Sequence, residues 1–176
     1  MQKMSFIHPE AKIDANVEIG PFVYVDKNVE IGDGTVLMPH ATVLSGARIG
    51  KNVRIFPHAV ISGIPQDLKF RGEETTAVIG DNTTIRECAT VNRGTASKGT
   101  TIVGSNCLIM AYSHIAHDCK VGNNIIIGNA SQIAGEVEID DWAILSGSVL
   151  VHQFCHIGGH VIIQGGSKVG KDVPPY

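Results

Sequence analysis

The sequence predicts an all-β protein, a parallel β-helix wound from six-residue rungs. Two periodic features carry this expectation. Aliphatic residues recur every six positions from Ile7 to Val169: of the 28 positions in this phase, 25 are Ile, Val or Leu, more than half of the 46 such residues in the 176-residue chain. A period of six fits neither the 3.6-residue repeat of an α-helix nor the alternation of an ordinary strand, and it is the mark of a hexapeptide β-helix. The residue two before each anchor is small or β-branched, as at Ala11, Val17, Val23, Val29, Thr35, Ala41, Ala47, Val53 and Ala59.

The first run of rungs ends at Ile61. Each rung reads as a short strand pointing its aliphatic residue inward. A turn follows in which glycine often succeeds the anchor, as at Gly20, Gly32 and Gly50, where the backbone needs room. One rung cannot bury its apolar side chain alone, whereas stacked rungs can. With three rungs to a coil, residues 18 apart stack, and about nine coils rise roughly 43 Å at the spacing of paired strands.

The phase then breaks at Asp67 and Glu73. A carboxylate facing a narrow aliphatic core is costly, so residues 62–78 are expected to leave the coil as a loop. Gln66, Asp67, Lys69 and Arg71 crowd polar groups into it, which points to function rather than a tolerated insertion. The phase resumes at Ile79, Ile85 and Val91, breaks at Ser97 within a second loop over 92–101, and then runs unbroken from Val103 to Val169. The chain thus reads as one domain, 1–176. It ends at Asp172-Val-Pro-Pro-Tyr176, where two prolines cannot continue a ladder. A terminal coil without a cap is expected to be followed or covered by something else.

A net charge of −3 carries no basic signature for nucleic acid. No stretch is apolar enough for an integral membrane segment, and the N-terminus shows no signal peptide. Cys88, Cys107, Cys119 and Cys155 lack metal-type spacing and read as reduced core or turn residues, so a cytoplasmic location is expected.

Five of the eight histidines lie after residue 110. His117 falls two residues past the anchor Ile115, where the chain turns, so it should project from an edge of the helix. Asp118 follows and could hold one ring nitrogen, leaving the other free as a general base. The alternative is a surface histidine in an interface stack. His152 follows the anchor Val151 and, with Gln153, suits a polar ligand; hydrogen bonding within stacked turns is the competing reading. His8, His40 and His58 lie in ordinary coils and read as structural.

The segments Ile64-Pro-Gln-Asp-Leu-Lys-Phe70, Ile85-Arg-Glu87, Arg93-Gly-Thr95, His114-Ile-Ala-His-Asp-Cys119, His152-Gln-Phe-Cys155 and Asp172-Val-Pro-Pro-Tyr176 together resemble the UDP-N-acetylglucosamine O-acyltransferases, over essentially the whole chain. The resemblance implies a three-sided, left-handed β-helix in a homotrimer with active sites between subunits. It implies transfer of an (R)-3-hydroxyacyl chain from acyl carrier protein to the 3-hydroxyl of UDP-N-acetylglucosamine, the first step of lipid A synthesis, with no metal or other cofactor. In this reading His117 is the base, Asp118 orients it, and the Gly135 N–H donates to the oxyanion. Gln66, Asp67, Lys69, His114, His152 and Gln153 contact substrate, and Gly165 lies where acyl length is limited. The family commonly has a histidine where this chain has Glu136, so that member of the substrate-binding set is expected to differ in partner or orientation. The family also continues into a C-terminal helical domain that this chain does not contain.

Three other readings compete. An N-acyltransferase of the same pathway should carry an extra N-terminal domain. A carbonic anhydrase-like hydratase would hold zinc through His114, His117 and a neighbouring chain, although the spacing differs from that family's and Asp118 better explains a base. A non-catalytic trimeric scaffold leaves His117, Asp118 and the first loop without a purpose.

Overall fold

In a computed structural model, which describes residues 4–176, the chain winds through 25 short strands, from β1 (Phe6–Ile7) to β25 (Lys168–Val169). Each strand carries one of the 25 aliphatic anchors. β1, β2 (Lys12–Ile13) and β3 (Glu18–Ile19) begin three parallel sheets of nine, eight and eight strands, and each strand pairs with the third one after it. The architecture is therefore all-β, a three-sided parallel β-helix. No helix among the described residues is long and apolar enough to cross a membrane.

The anchors form the core. Ile55, Ile61, Ile85, Ile109, Ile115, Ile127, Ile133 and Leu145 are fully buried. The register two residues earlier is buried too, and through the middle of the column it includes polar groups, with Thr83, Thr101, Cys107, Ser113, Cys119 and Ser131. These groups stay inside because each finds a partner in a neighbouring coil. Thr83 donates to the Gly104 carbonyl at 2.7 Å, Ser113 to Gly128 at 2.9 Å, Ser131 to Ser146 at 3.0 Å and the Cys119 thiol to Ala134 at 3.1 Å. Three of the four cysteines are thus core residues, as their spacing implied; all four are free thiols.

Ordinary coils stack at 18 residues, Ile7 on Val25. Across the first loop the offset is 30, Ile61 to Val91; across the second it is 24, Ile79 to Val103. The loops therefore insert two rungs and one rung, which is why the phase survives both. They are shorter than the expected 62–78 and 92–101. β10 (Val60–Gly63) and β11 (Thr76–Ile79) flank the first, and β13 (Thr90–Asn92) and β14 (Thr100–Val103) flank the second. Polar character at Ser62 and Thr76 does not end the strands: Thr76 still pairs in register with Thr100, and Ser62 is accommodated as a bulge with φ 65°, after which Gly63 pairs with Asn92. Ser62 is fully buried and donates to the Ser45 carbonyl at 2.7 Å.

The turns divide their requirements between two positions. The left-handed residue lies three past the anchor and is rarely glycine: Asn28, Asn52, Asn82, Asn106 and Asn124 have φ between 53° and 58°. The glycine directly after the anchor answers a different need, since a Cβ on Gly32 would lie 2.7 Å from the carbonyl oxygen of Gly50 in the next coil.

Candidate active site

Both loops and His117 leave the same edge in successive coils. The first loop follows β10, the second follows β13, and His117 follows β16 (His114–Ile115); all three strands belong to the nine-stranded sheet. Gly135, after β19 (Gln132–Ile133), and Gln153, after β22 (Leu150–Val151), continue this edge. On the adjoining face the outward residues His114, Gln132 and Leu150 stack in register. An open groove of about 600 Å³ runs along this corner, lined by Gln66, His114, His117, Gly135 and Gln153 among others.

His117 is held from behind. Its Nδ1 lies 2.8 Å from Asp118 Oδ2; the imidazole is 18 % exposed and the carboxylate 0 %. An ionised carboxylate only accepts, so Nδ1 carries the proton and Nε2 presents a lone pair. Asp67 Oδ2 stands 3.9 Å from that Nε2, beyond hydrogen-bonding distance, so the two acceptors do not engage one another and each is left for a separate donor. Burial would raise the Asp118 pKa, but hydrogen bonds from the Thr95 hydroxyl, His117 and the N–H groups of Thr95 and Lys98 outweigh it and hold the carboxyl below its usual range.

Gly135 faces the ring directly. A Cβ there would lie 2.7 Å from both Cε1 and Nε2 of His117, so no other residue fits without moving the imidazole. The Gly135 N–H enters no backbone ladder, because the position two past the anchor lies outside it. In some coils that N–H is taken by a side chain, Lys51 by Asp81 and Asn123 by Asp141; at Gly135 it meets no acceptor among the described residues. A donor beside the base is thus free for a ligand oxygen.

His114 lies a turn before the base, its Nδ1 2.7 Å from the Thr90 hydroxyl. Burial, with a contribution from the neighbouring His117, lowers its pKa. Asp67 sits at the groove's rim, where the first loop bends back: its Oδ1 accepts the Lys69 N–H at 2.8 Å. That loop is held by the Asn92 amide, which donates to the Ile64 carbonyl at 2.9 Å, and by Phe70, whose ring lies 5.4 Å from the Arg93 guanidinium carbon.

Four residues of the expected set stand apart from the groove. The Lys69 side chain is exposed on the loop. Glu136 turns away, its Oε1 accepting from the Ser97 hydroxyl of the second loop at 3.2 Å. His152 is exposed, with Nδ1 3.1 Å from the Gln153 carbonyl oxygen. Gly165 follows β24 (Ile162–Ile163), which belongs to another sheet, and lies on a different edge. Other contributors went unread in the sequence. Thr90, Tyr112 and Gln132 line the groove, and Thr95, Lys98 and Thr101 hold Asp118. For Thr95 and Lys98 the signals are the break of phase at Ser97 and the Arg93-Gly-Thr95 segment, which carried no role; the outward positions Thr90, Tyr112 and Gln132 have none. Among the described residues no three His, Cys, Asp or Glu side chains are grouped to hold a metal ion.

Comparison with known proteins agrees with the repeat. The model of the GMPPB C-terminal domain matches residues 1–96, and that of the bacterial transferase hexapeptide (six repeats) matches residues 100–135. An acyl-[acyl-carrier-protein]–UDP-N-acetylglucosamine O-acyltransferase of Sinorhizobium fredii is 48% identical over 173 residues, 98% of this chain and 64% of the relative. One of Thermodesulfovibrio yellowstonii is 46% identical over 177 residues, 100% of this chain and 69% of the relative. The solved structure of a UDP-N-acetylglucosamine acyltransferase from Bacteroides fragilis superposes with a TM-score of 0.97 at 58% identity, covering 100% of this chain and 69% of that one. The chain thus spans a little under two thirds of the Sinorhizobium protein.

Proposed function

Because the chain belongs to the acyl-[acyl-carrier-protein]–UDP-N-acetylglucosamine O-acyltransferase family, we propose that it moves an (R)-3-hydroxyacyl group from acyl carrier protein to the 3-hydroxyl of UDP-N-acetylglucosamine. The observation that carries this reading is the pairing of His117 Nδ1 with a fully buried Asp118, which leaves Nε2 open to the groove beside an unpaired Gly135 N–H.

Nε2 takes the proton of the sugar hydroxyl as its oxygen attacks the thioester carbonyl carbon. The Gly135 N–H donates to the oxyanion that forms. Collapse breaks the carbon–sulfur bond, and the departing thiolate takes the proton back from the imidazolium. Asp118 orients the ring and offsets its transient charge. Asp67 accepts from a sugar hydroxyl, Gln66 and Gln153 position the sugar nucleotide, and His114 shapes the floor beside the base. No metal or other cofactor enters any step.

The same reading makes the working unit a cytoplasmic homotrimer with sites between chains. Its support is the incompleteness of the groove in one chain. The groove is open on one side, Leu68 at the tip of the first loop is 95 % exposed, and Ile162, near Gly165, is 72 % exposed. A second copy would cover these apolar groups and bring Gly165 and His152 towards the groove.

The test is an acyl-transfer assay with UDP-N-acetylglucosamine and 3-hydroxyacyl carrier proteins of several lengths. It is run on this chain and on a version extended with the part of the Sinorhizobium relative that lies beyond the match. Transfer by either one, with one length preferred, supports the reading; a folded, trimeric extended form that transfers nothing removes it.

A further inference from the structure

Three of the four donors to the Asp118 carboxylate come from a loop that lines no part of the groove. Oδ1 accepts the N–H groups of Thr95 at 2.9 Å and Lys98 at 3.2 Å. Oδ2 accepts the Thr95 hydroxyl at 2.6 Å and His117 Nδ1 at 2.8 Å. The second loop is therefore wrapped around one side chain. Its own bonds hold it in that shape: the Gly99 N–H donates to the Thr95 carbonyl at 2.8 Å, and the Ser97 N–H to the Thr95 hydroxyl oxygen at 3.2 Å.

This arrangement determines the direction of the shortest bond. The Thr95 oxygen already accepts from Ser97, and an ionised Asp118 cannot donate, so the hydroxyl proton points at Oδ2. It shares that oxygen with the imidazole N–H. Two donors on one oxygen divide its charge, so whatever Thr95 draws off is lost to His117.

We propose that Thr95 is a positioning residue for the base: its hydroxyl, aimed by the Ser97 N–H, keeps Asp118 Oδ2 in line with His117 Nδ1 and limits the negative charge that the imidazole receives. The inference rests on the reading of His117 as general base. Thr95 touches neither substrate groove nor imidazole, and it acts through Asp118.

The consequence is a defined change in proton affinity. Without the hydroxyl, Oδ2 answers to the imidazole alone, the imidazolium is better stabilised, and the ring holds its proton to higher pH. The other charged groups around the pair stay in place. Asp67 faces Nε2 at 3.9 Å, and His114 lies on the strand before. On the outer side of the loop, Lys98 is engaged by Glu138 at 3.1 Å, and Glu136 by Ser97.

The experiment compares Thr95→Val and Thr95→Ser with the parent chain. It reads the titration midpoint of the His117 imidazole by NMR and, in the active trimer, the acidic limb of kcat/KM. One hydrogen bond of ordinary strength corresponds to an upward shift of about half to one pH unit in Thr95→Val. Thr95→Ser, which keeps the hydroxyl, stays at the parent midpoint. A folded Thr95→Val with an unmoved midpoint overturns the proposal, as does a Thr95→Ser that shifts equally. Activity lost at every pH without a shift overturns it too, because a merely structural residue behaves that way. If Thr95→Val does not fold, Thr95→Ala is read in the same manner, and unfolding of both makes Thr95 a folding residue and sinks the inference. The NMR midpoint needs no turnover, so a parent chain without acyl transfer would count against the acyltransferase reading while leaving the Thr95 shift to be judged separately.

Discussion

The imidazole of His117 lies against the backbone of Gly135 one coil above, so closely that a methyl group at 135 would sit 2.7 Å from Cε1 and Nε2. Gly135→Ala must push the ring aside or break its bond to Asp118. The turn itself does not need glycine, since Gly135 has no left-handed φ. The expected outcome is a folded protein with unchanged thermal midpoint whose turnover falls by about 10²-fold, the scale of a small misplacement of a catalytic group. Parallel circular dichroism melts and steady-state rates check it.

His117→Ala should lower turnover by about 10²-fold or more while leaving the coil intact, as loss of a general base does. Asp118→Asn should lower turnover as well, but it also carries a stability cost. Its amide would point a donor at the N–H and hydroxyl donors that now meet the carboxylate, and an unsatisfied buried group costs about 1–3 kcal/mol. Denaturant titrations separate the two variants: only Asp118→Asn should shift the midpoint.

The two loops and His117 could be placed on one edge from the sequence alone. The anchors Ile61, Val91 and Ile115 are 30 and 24 residues apart, one coil of 18 plus two extra rungs and one extra rung. Aliphatic phase conveys such register because a core position tolerates few alternatives. It says nothing about where an excursion folds back. Thr95 at Asp118, Glu136 at Ser97 and Phe70 at Arg93 each depend on a loop path that no repeat encodes. Gly165 illustrates a different limit: its phase assigns it to another edge of the chain, away from the groove.

Phe70 and Arg93, the residue that follows β13, form a contact that ties the body of the first loop to the next coil. Phe70→Ala should loosen the loop and let Asp67 drift from His117 without disturbing the core. We expect the KM for the sugar nucleotide to rise several-fold, on the order of the 0.5–1 kcal/mol of an exposed cation–π contact, with a smaller change in kcat. A kcat loss matching that of His117→Ala would show that the loop does more than hold substrate.

Acid should weaken the fold in two steps. His114 titrates below its usual 6.5 because burial disfavours its charge, so the unfolded chain binds the extra proton first. That contribution is complete above 6.5 and is lost as pH falls through the lowered folded value. Asp118 is likewise depressed below 3.8, and its contribution, complete above that value, disappears as pH drops further. Thermal midpoints measured from pH 8 to pH 3 should therefore decline first as the pH falls below 6.5 and again as it falls below 3.8. His114→Gln should flatten the upper decline and spare the lower one.

The cysteines offer a probe of the coil that requires no substrate. Burial pushes the Cys119 thiol up to about 12, and burial likewise raises Cys107 and Cys155. The thiolate is the species that reacts, so these three should resist alkylation in the native state. Cys88 differs: it occupies a left-handed turn with φ 57° and is half-buried rather than enclosed. Iodoacetamide at neutral pH should label Cys88 alone, and the other three should react together when denaturant unwinds the helix. Early labelling of Cys155 without Cys107 and Cys119 would instead mean that the last coils open ahead of the rest.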